Sequence, residues 1–180
     1  MVSIVLDEHL DHELIGADRV GEIPFMIPKP NNIELTEEFK AFYDDSCVAI
    51  TGYKSDILYL HQVKLMQRAL DVIQTGTDEH YANKSFPRRR FKKTTTLLII
   101  AHALQKQGKR VCLVVVTKEG ARRLIEECPS LKDVIRPVMA NPRGCMFDYL
   151  LMDEVCFMDE RKYMDYVVAS KSVMAISTSK

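Results

Sequence analysis

LLMDEVCFM, Leu150 to Met158, sends an apolar run straight into two adjacent carboxylates, Asp153 and Glu154. With Tyr149, the residues before the acids read as a buried strand. Open parallel sheets bind ligands beyond the carboxyl ends of their strands, which is where these acids would stand. There one carboxylate can hold a divalent cation through water while its neighbour polarises an attacking water. A solvated acidic turn would be spelled the same way, so the pair needs a partner elsewhere in the chain.

That partner is SFPRRRFKKTTTLLII, Ser85 to Ile100. From Lys84 to Lys93 lie six basic residues, Lys84, Arg88, Arg89, Arg90, Lys92 and Lys93, with no acid among them. A cationic turn, then hydroxyls, then an apolar helix is the order of parts in a nucleotide phosphate loop. In such loops backbone N–H groups wrap the phosphates, a lysine reaches the terminal pair and a Ser or Thr hydroxyl binds Mg²⁺. The helix N-terminus adds partial positive charge beneath them. The glycines of GxxxxGK[ST] are missing: Pro87 or Arg88 stands at the first, and Phe91 or Lys92 at the last. Two registers stay open. One pairs Lys93 with Thr94 and puts Lys92 in the glycine position. The other makes Lys92 the phosphate lysine and puts Lys93 in the hydroxyl position. The first is preferred because only Thr94 then supplies the Mg²⁺ ligand, with Thr95 as its backup.

Around these motifs the pattern alternates helix and strand. Residues 1–35 read as an irregular arm with a proline-rich stretch, GEIPFMIPKPNN, whose apolar residues could dock on the domain or a neighbour. Residues 36–46 suggest a short helix capped by Thr36, and 55–74 an amphipathic helix capped by Ser55 or Asp56. Residues 75–85 read as a loop or weak strand. Thr94 to Gln107 is a largely buried helix closed by Gly108. Arg110 to Thr117 has the unbroken apolar run of a parallel strand covered on both faces. A helix over 119–128, a short segment at 134–139 that Pro137 confines to an edge, a strand at 149–152, a helix at 159–169 and a strand at 172–177 follow. The expectation is an α/β fold of the P-loop NTPase (RecA/ASCE-like) class, a mostly parallel central sheet flanked by helices and incomplete in this chain. Residues 1–50 form the arm and short helix, and 51–180 a truncated ATPase core.

Composition adds exclusions. The 25 basic residues balance the 25 acidic ones, so net charge gives no support to nucleic-acid binding. Five cysteines without CxxC spacing argue against a disulfide framework or a zinc site and for a reducing compartment. No apolar run is long enough to span a membrane. The last strand ends in Ser177-Thr178-Ser179, small hydroxyls placed to sense a terminal phosphate.

On FPRRRFKKTTT (86–96), LLMDEVCFM (150–158) and MAISTSK (174–180) the chain resembles the ATPase domain of viral large terminase subunits. These are the DNA-packaging motors of tailed phages and herpesviruses, and the herpesvirus branch is the nearest in pattern. Its members carry a Pro-Arg-Arg lead into an adenine-nucleotide phosphate loop, a DEANF-like acidic motif and a Ser-Ser-Thr-like coupling motif. The resemblance covers roughly residues 55–180. It implies ATP and Mg²⁺ as ligands, with Lys93 and Thr94 on phosphate and metal, Asp153 on the metal and Glu154 as the catalytic carboxylate. It implies that Arg89, with Arg88 and Arg90 as alternatives, stabilises charge on the transferred phosphate. Gln62 would lie near the adenine, and Ser177 and Thr178, with Ser179, would couple hydrolysis to movement. Lys92 departs from the family's glycine, and a side chain there is expected to block or reshape the pocket.

The resemblance also implies a C-terminal nuclease domain that this chain lacks, double-stranded DNA as the moved partner, and a homo-oligomeric ring. That ring would dock on a viral portal beside a small terminase subunit, in the host nucleus for a herpesvirus or the bacterial cytoplasm for a phage. Two other readings use the same letters: a helicase-like NTPase motor domain, or a degenerate, non-catalytic P-loop assembly subunit.

Overall fold

Residues that alternate between two apolar faces along a strand require helices on both sides of the sheet. In β2 (Val111–Val115), Val111, Leu113 and Val115 enter one core and Cys112 and Val114 another. β4 (Phe147–Met152) divides likewise, with Leu151 in the first core and Leu150 and Met152 in the second. A computed structural model describes residues 34–75, 80–86, 92–142, 144–154 and 157–178, with 80–86 and 175–178 described as backbone. The remaining elements are α1 (Glu37–Thr51), α2 (Leu60–Thr75), β1 (His80–Phe86), α3 (Lys93–Lys106), α4 (Lys118–Glu127), β3 (Ile135–Pro137), α5 (Glu160–Val167) and β5 (Ser170–Thr178). The proline-rich stretch, Arg88, Arg89, Arg90 and Ser179 lie outside the described residues.

The fold is α/β. Five strands pair in the order β1-β5-β4-β2-β3, every pair parallel. From β1 through β2 to β3 the chain progresses toward one edge, with α3 and α4 on the first core. From β4 to β5 it runs back, and α5 lies on the second core through Tyr166. Right-handed crossovers place helices on opposite faces when the direction reverses.

α3 is the centre of the first core. Leu97, Leu98, Ile99, Ile100, Ala101 and Leu104 are all buried, because α1 and α2 cover the flank that the sheet leaves free. It ends as expected: Gly108 takes φ +71°, and the Lys109 N–H returns to the Leu104 carbonyl.

One expectation needs correction, and one alternative is decided. The helix predicted over 55–74 starts at Leu60, and neither Ser55 nor Asp56 caps it. Ser55 opens a separate single turn over Ser55–Ile57, and both its N–H and its hydroxyl donate to Asp44 on α1 instead. The stretch read as a loop or weak strand contains β1, which pairs through five positions with β5. By contrast, Thr36 does cap α1, accepting from the Phe39 N–H at 3.2 Å, and the helix runs on to Thr51.

At the amino edge of the sheet, one carboxylate ties three strands. Asp148 on β4 accepts from the Arg110 backbone and guanidinium just before β2, and pairs with Lys171 on β5 at 3.2 Å. The Arg110 hydrogen bonds hold its carboxyl well below the usual range.

α1 is fastened to α2 by the fully buried Tyr43, whose hydroxyl donates to the Met66 carbonyl at 2.9 Å. Tyr43→Phe should cost about 0.5–1.5 kcal/mol, the net worth of one such bond. Urea unfolding would show a lower midpoint at an unchanged slope. An unchanged midpoint would mean that the bond does not join the helices.

Candidate functional site

Strand alternation decides where the paired acids point. Asp153 extends the β4 ladder by one residue, donating its N–H to the Val114 carbonyl at 3.0 Å. Its parity is that of Leu151, so it faces the α3 side of the sheet. There its Oδ2 accepts from Thr94 Oγ1 at 2.6 Å. Glu154 would point to the opposite face if the chain stayed extended. It takes the left-handed conformation instead, φ +53°, and its carboxylate stays on the α3 side. Its Oε1 lies 2.5 Å from Lys93 Nζ.

Lys93 is the first residue of α3, and its side chain is only 5% exposed. Its Nζ has no partner at hydrogen-bond angles, although Glu154 is so close. The distance is the better guide, because charge attraction depends on separation and not on angle. Asp153 is also buried, and its Oδ1 has no hydrogen-bond partner. Burial pushes its carboxyl up; the Thr94 hydrogen bond works against this, the Glu154 charge adds to it, and Lys93 opposes it. A buried polar atom without a partner carries a desolvation cost that a ligand can remove. Here Asp153 Oδ1 is such an atom, within the field of the Lys93–Glu154 pair.

The amino end of α3 adds donors. Its cap, Lys92, offers no side-chain hydrogen bond, and the first turn holds no acid. The leading N–H groups of a helix have no intrahelical acceptors, and the helix dipole makes that end favourable for an anion. Beside it opens a cleft of about 170 Å³, lined among others by Thr94, Val115, Thr117, Arg123, Asp153 and Glu154. Its position follows from topology. β2 and β4 are neighbours, yet the helices after them leave to opposite faces. A crevice forms at the carboxyl ends where connections diverge.

Lys92 itself has φ +55° and ψ +24°. This is the position that the preferred register assigns to glycine, and the left-handed form costs a residue with a side chain about 1–2 kcal/mol. Lys92 is exposed and does not line the cleft, so its side chain does not fill that space. Its carbonyl is held from two directions, accepting from the Thr96 N–H at 2.9 Å and from Thr96 Oγ1 at 3.0 Å. Thr96 Oγ1 in turn accepts from Gln62 Nε2 at 3.0 Å, and Gln62 Oε1 accepts from the Tyr59 N–H at 3.2 Å. At about 0.5–1.5 kcal/mol net each, two such bonds match the cost of the turn.

The structure thus brings together Lys93, Thr94, Asp153 and Glu154, with Lys92 at the turn and Thr95 half-buried in the first turn of α3. Gln62 lies beneath the turn, buried, with its amide engaged on both sides. Ser177 and Thr178 end β5, and Thr178 pairs with Phe86, the last residue of β1. Their side chains, like Arg88, Arg89 and Arg90, lie outside what is described. Sequence reading misses Thr96, Thr117 and Arg123. Arg123 had a signal, since the helix after a parallel strand starts beside the ligand crevice.

Among the described residues no three His, Cys, Asp or Glu side chains converge. A divalent cation at Thr94 and Asp153 would therefore draw its other ligands from phosphate and water. That suits Mg²⁺, which keeps several waters, better than Zn²⁺. Among the described residues no helix is long and apolar enough to cross a membrane. Comparison with known proteins returned no match, either to a family model or to a curated protein.

The raised carboxyl of Asp153 has a consequence for stability. The folded chain holds this proton more tightly than the unfolded one, so Asp153's contribution to stability falls as pH rises from 3.8 through the raised value. Asp153→Asn, which keeps an oxygen for Thr94, should therefore melt higher than wild type at neutral pH in metal-free, nucleotide-free buffer. The gap should close as pH falls below that window. A variant that melts lower throughout would show that the ionised carboxylate stabilises the fold.

Proposed function

We propose that this chain is an ATP-hydrolysing motor domain of the P-loop, RecA-like kind. One observation carries the reading: Thr94 at the head of α3 meets buried Asp153 at the end of β4, with Lys93 and Glu154 paired beside them. A basic surface turn and a solvated acidic turn have no reason to meet in the interior. The strand order supports the same reading. β5, which ends in Ser177 and Thr178, lies between the strand entering the basic loop and the strand carrying the acids. Its end would face the terminal phosphate of a nucleotide bound at α3.

In this reading the α3 amino end and Lys93 hold the β- and γ-phosphates. Thr94 and Asp153 would hold Mg²⁺, which neutralises charge on the phosphate oxygens when bound. Phosphate entering the site competes with Glu154 for Lys93 and releases the carboxylate. Glu154 then orients a water in line with the γ-phosphorus. The new P–O bond forms from that water as the bond to the ADP oxygen breaks. Arg89 is assigned to the charge on the transferred phosphate by resemblance. On the three matched stretches the proposal extends to the DNA-packaging terminases, with double-stranded DNA as the moved partner and a portal-docked ring as the working form.

The test is Mg²⁺-dependent release of phosphate from ATP. Lys93→Ala and Glu154→Gln should each lower kcat about 10²–10³-fold, the scale of losing one charge-stabilising group, and Lys92→Ala should do much less. If Lys92→Ala abolishes turnover and Lys93→Ala does not, the phosphate lysine is Lys92. If wild type and both site variants are equally inactive while folded, the ATPase reading fails for this chain.

A further inference from the structure

The site contains a substitute for the glycine it lacks. We propose that Gln62 and Thr96 are positioning residues, a hydrogen-bonded relay that holds Lys92 in its left-handed conformation and so aims the amino end of α3. This rests on the reading of that end as the phosphate site.

The geometry assigns each group one role. Lys92 shows φ +55° with no side-chain cap to hold it. Its carbonyl accepts from both the N–H and the hydroxyl of Thr96. A threonine back-bond of this sort is common in helices and by itself means little. Here Thr96 is 1% exposed, and its hydroxyl is also engaged from behind by Gln62, itself 3% exposed. The Gln62 amide has no freedom to turn round, because the Tyr59 N–H needs its oxygen. The direction of the relay is therefore fixed, from Gln62 Nε2 to Thr96 Oγ1 to the Lys92 carbonyl. The first step is buried away from water, the second is partly so, and bonds in series at a site of low polarity reinforce one another. Fixing that carbonyl fixes ψ of Lys92 and the peptide plane that carries the Lys93 N–H.

Two of the three threonines in this run then have distinct partners. Thr94 serves the acid, and Thr96 serves the turn. Only a residue that resists φ > 0 needs this support. Glycine adopts it freely.

The test is a double-mutant cycle between positions 92 and 96. The proteins are wild type, Thr96→Val, Thr96→Ser, Lys92→Gly, and Lys92→Gly with Thr96→Val. Each is titrated with Mg²⁺ and the fluorescent analogue mant-ATP, and each is unfolded in urea without nucleotide. Thr96→Val should weaken mant-ATP binding about tenfold, a change of about 1.4 kcal/mol. Thr96→Ser, which keeps the hydroxyl, should stay within about twofold of wild type, under about 0.5 kcal/mol on the same scale. In the Lys92→Gly background Thr96→Val should cost less than about threefold, which is the coupling expected of residues in one network. The urea midpoints should show the same rescue.

Equal losses from Thr96→Val in both backgrounds would overturn the relay and leave Thr96 as a packing residue. So would a Thr96→Ser protein as impaired as the valine variant. If wild type binds no mant-ATP, the ATPase reading fails. The urea cycle then decides the relay alone, and additive midpoint losses overturn it.

Discussion

The packing of α3 against the sheet face built by Val111, Leu113, Leu151 and Met174 governs the positions of everything else. α3 is covered by the sheet on one flank and by α1 and α2 on the other, so it cannot rotate or slide without exposing large apolar side chains. Its polar residues are confined to its ends. The amino end comes out where β2 and β4 finish, and there Lys93 and Thr94 meet Asp153 and Glu154. The contact of Thr94 with Asp153 is thus a by-product of helix burial combined with strand parity. A one-residue slip of β4 would turn Asp153 to the second core and separate the pair.

Two left-handed residues face each other across that contact. Lys92 turns the chain into α3, and Glu154 turns it out of β4. Neither is glycine, and each places a charged neighbour toward the same small volume. Strain of this kind persists only when the surroundings over-determine it, and it concentrates where a chain is built to hold something. Lys93 and Glu154 partly satisfy one another in the meantime.

Much of this is legible in the sequence, for identifiable reasons. β2 and β4 carry unbroken apolar runs because both of their faces are covered. α3 is legible from its apolar length and its terminal Gly108. The order of basic loop, threonines and acidic strand end foretells the company of Thr94 and Asp153. β1 is harder to read, because HYANKSF is largely polar and the strand lies at the sheet edge with one neighbour. The start of α2 misleads because Ser55, a good capping residue, is claimed by Asp44. The conformation of Lys92 cannot be read from propensity at all, since nothing local favours it. In the proposed relay it depends on Gln62, which reaches Thr96 from thirty-four residues away in the chain, and no periodicity reports such a contact.

Asp148 and Asp153 stand at opposite ends of one short strand and respond to acid in opposite ways. Asp148, gripped by Arg110 and Lys171, keeps its charge far into the acid range, and its tie across β2, β4 and β5 persists there. Asp153, shut away from water, gives up its charge early. As pH falls, Asp153 takes up its proton before Asp148 does, while the tie across the strands is still in place. Protonation of the cleft acid and release of the strand tie are therefore separate events in this molecule, and the first precedes the second.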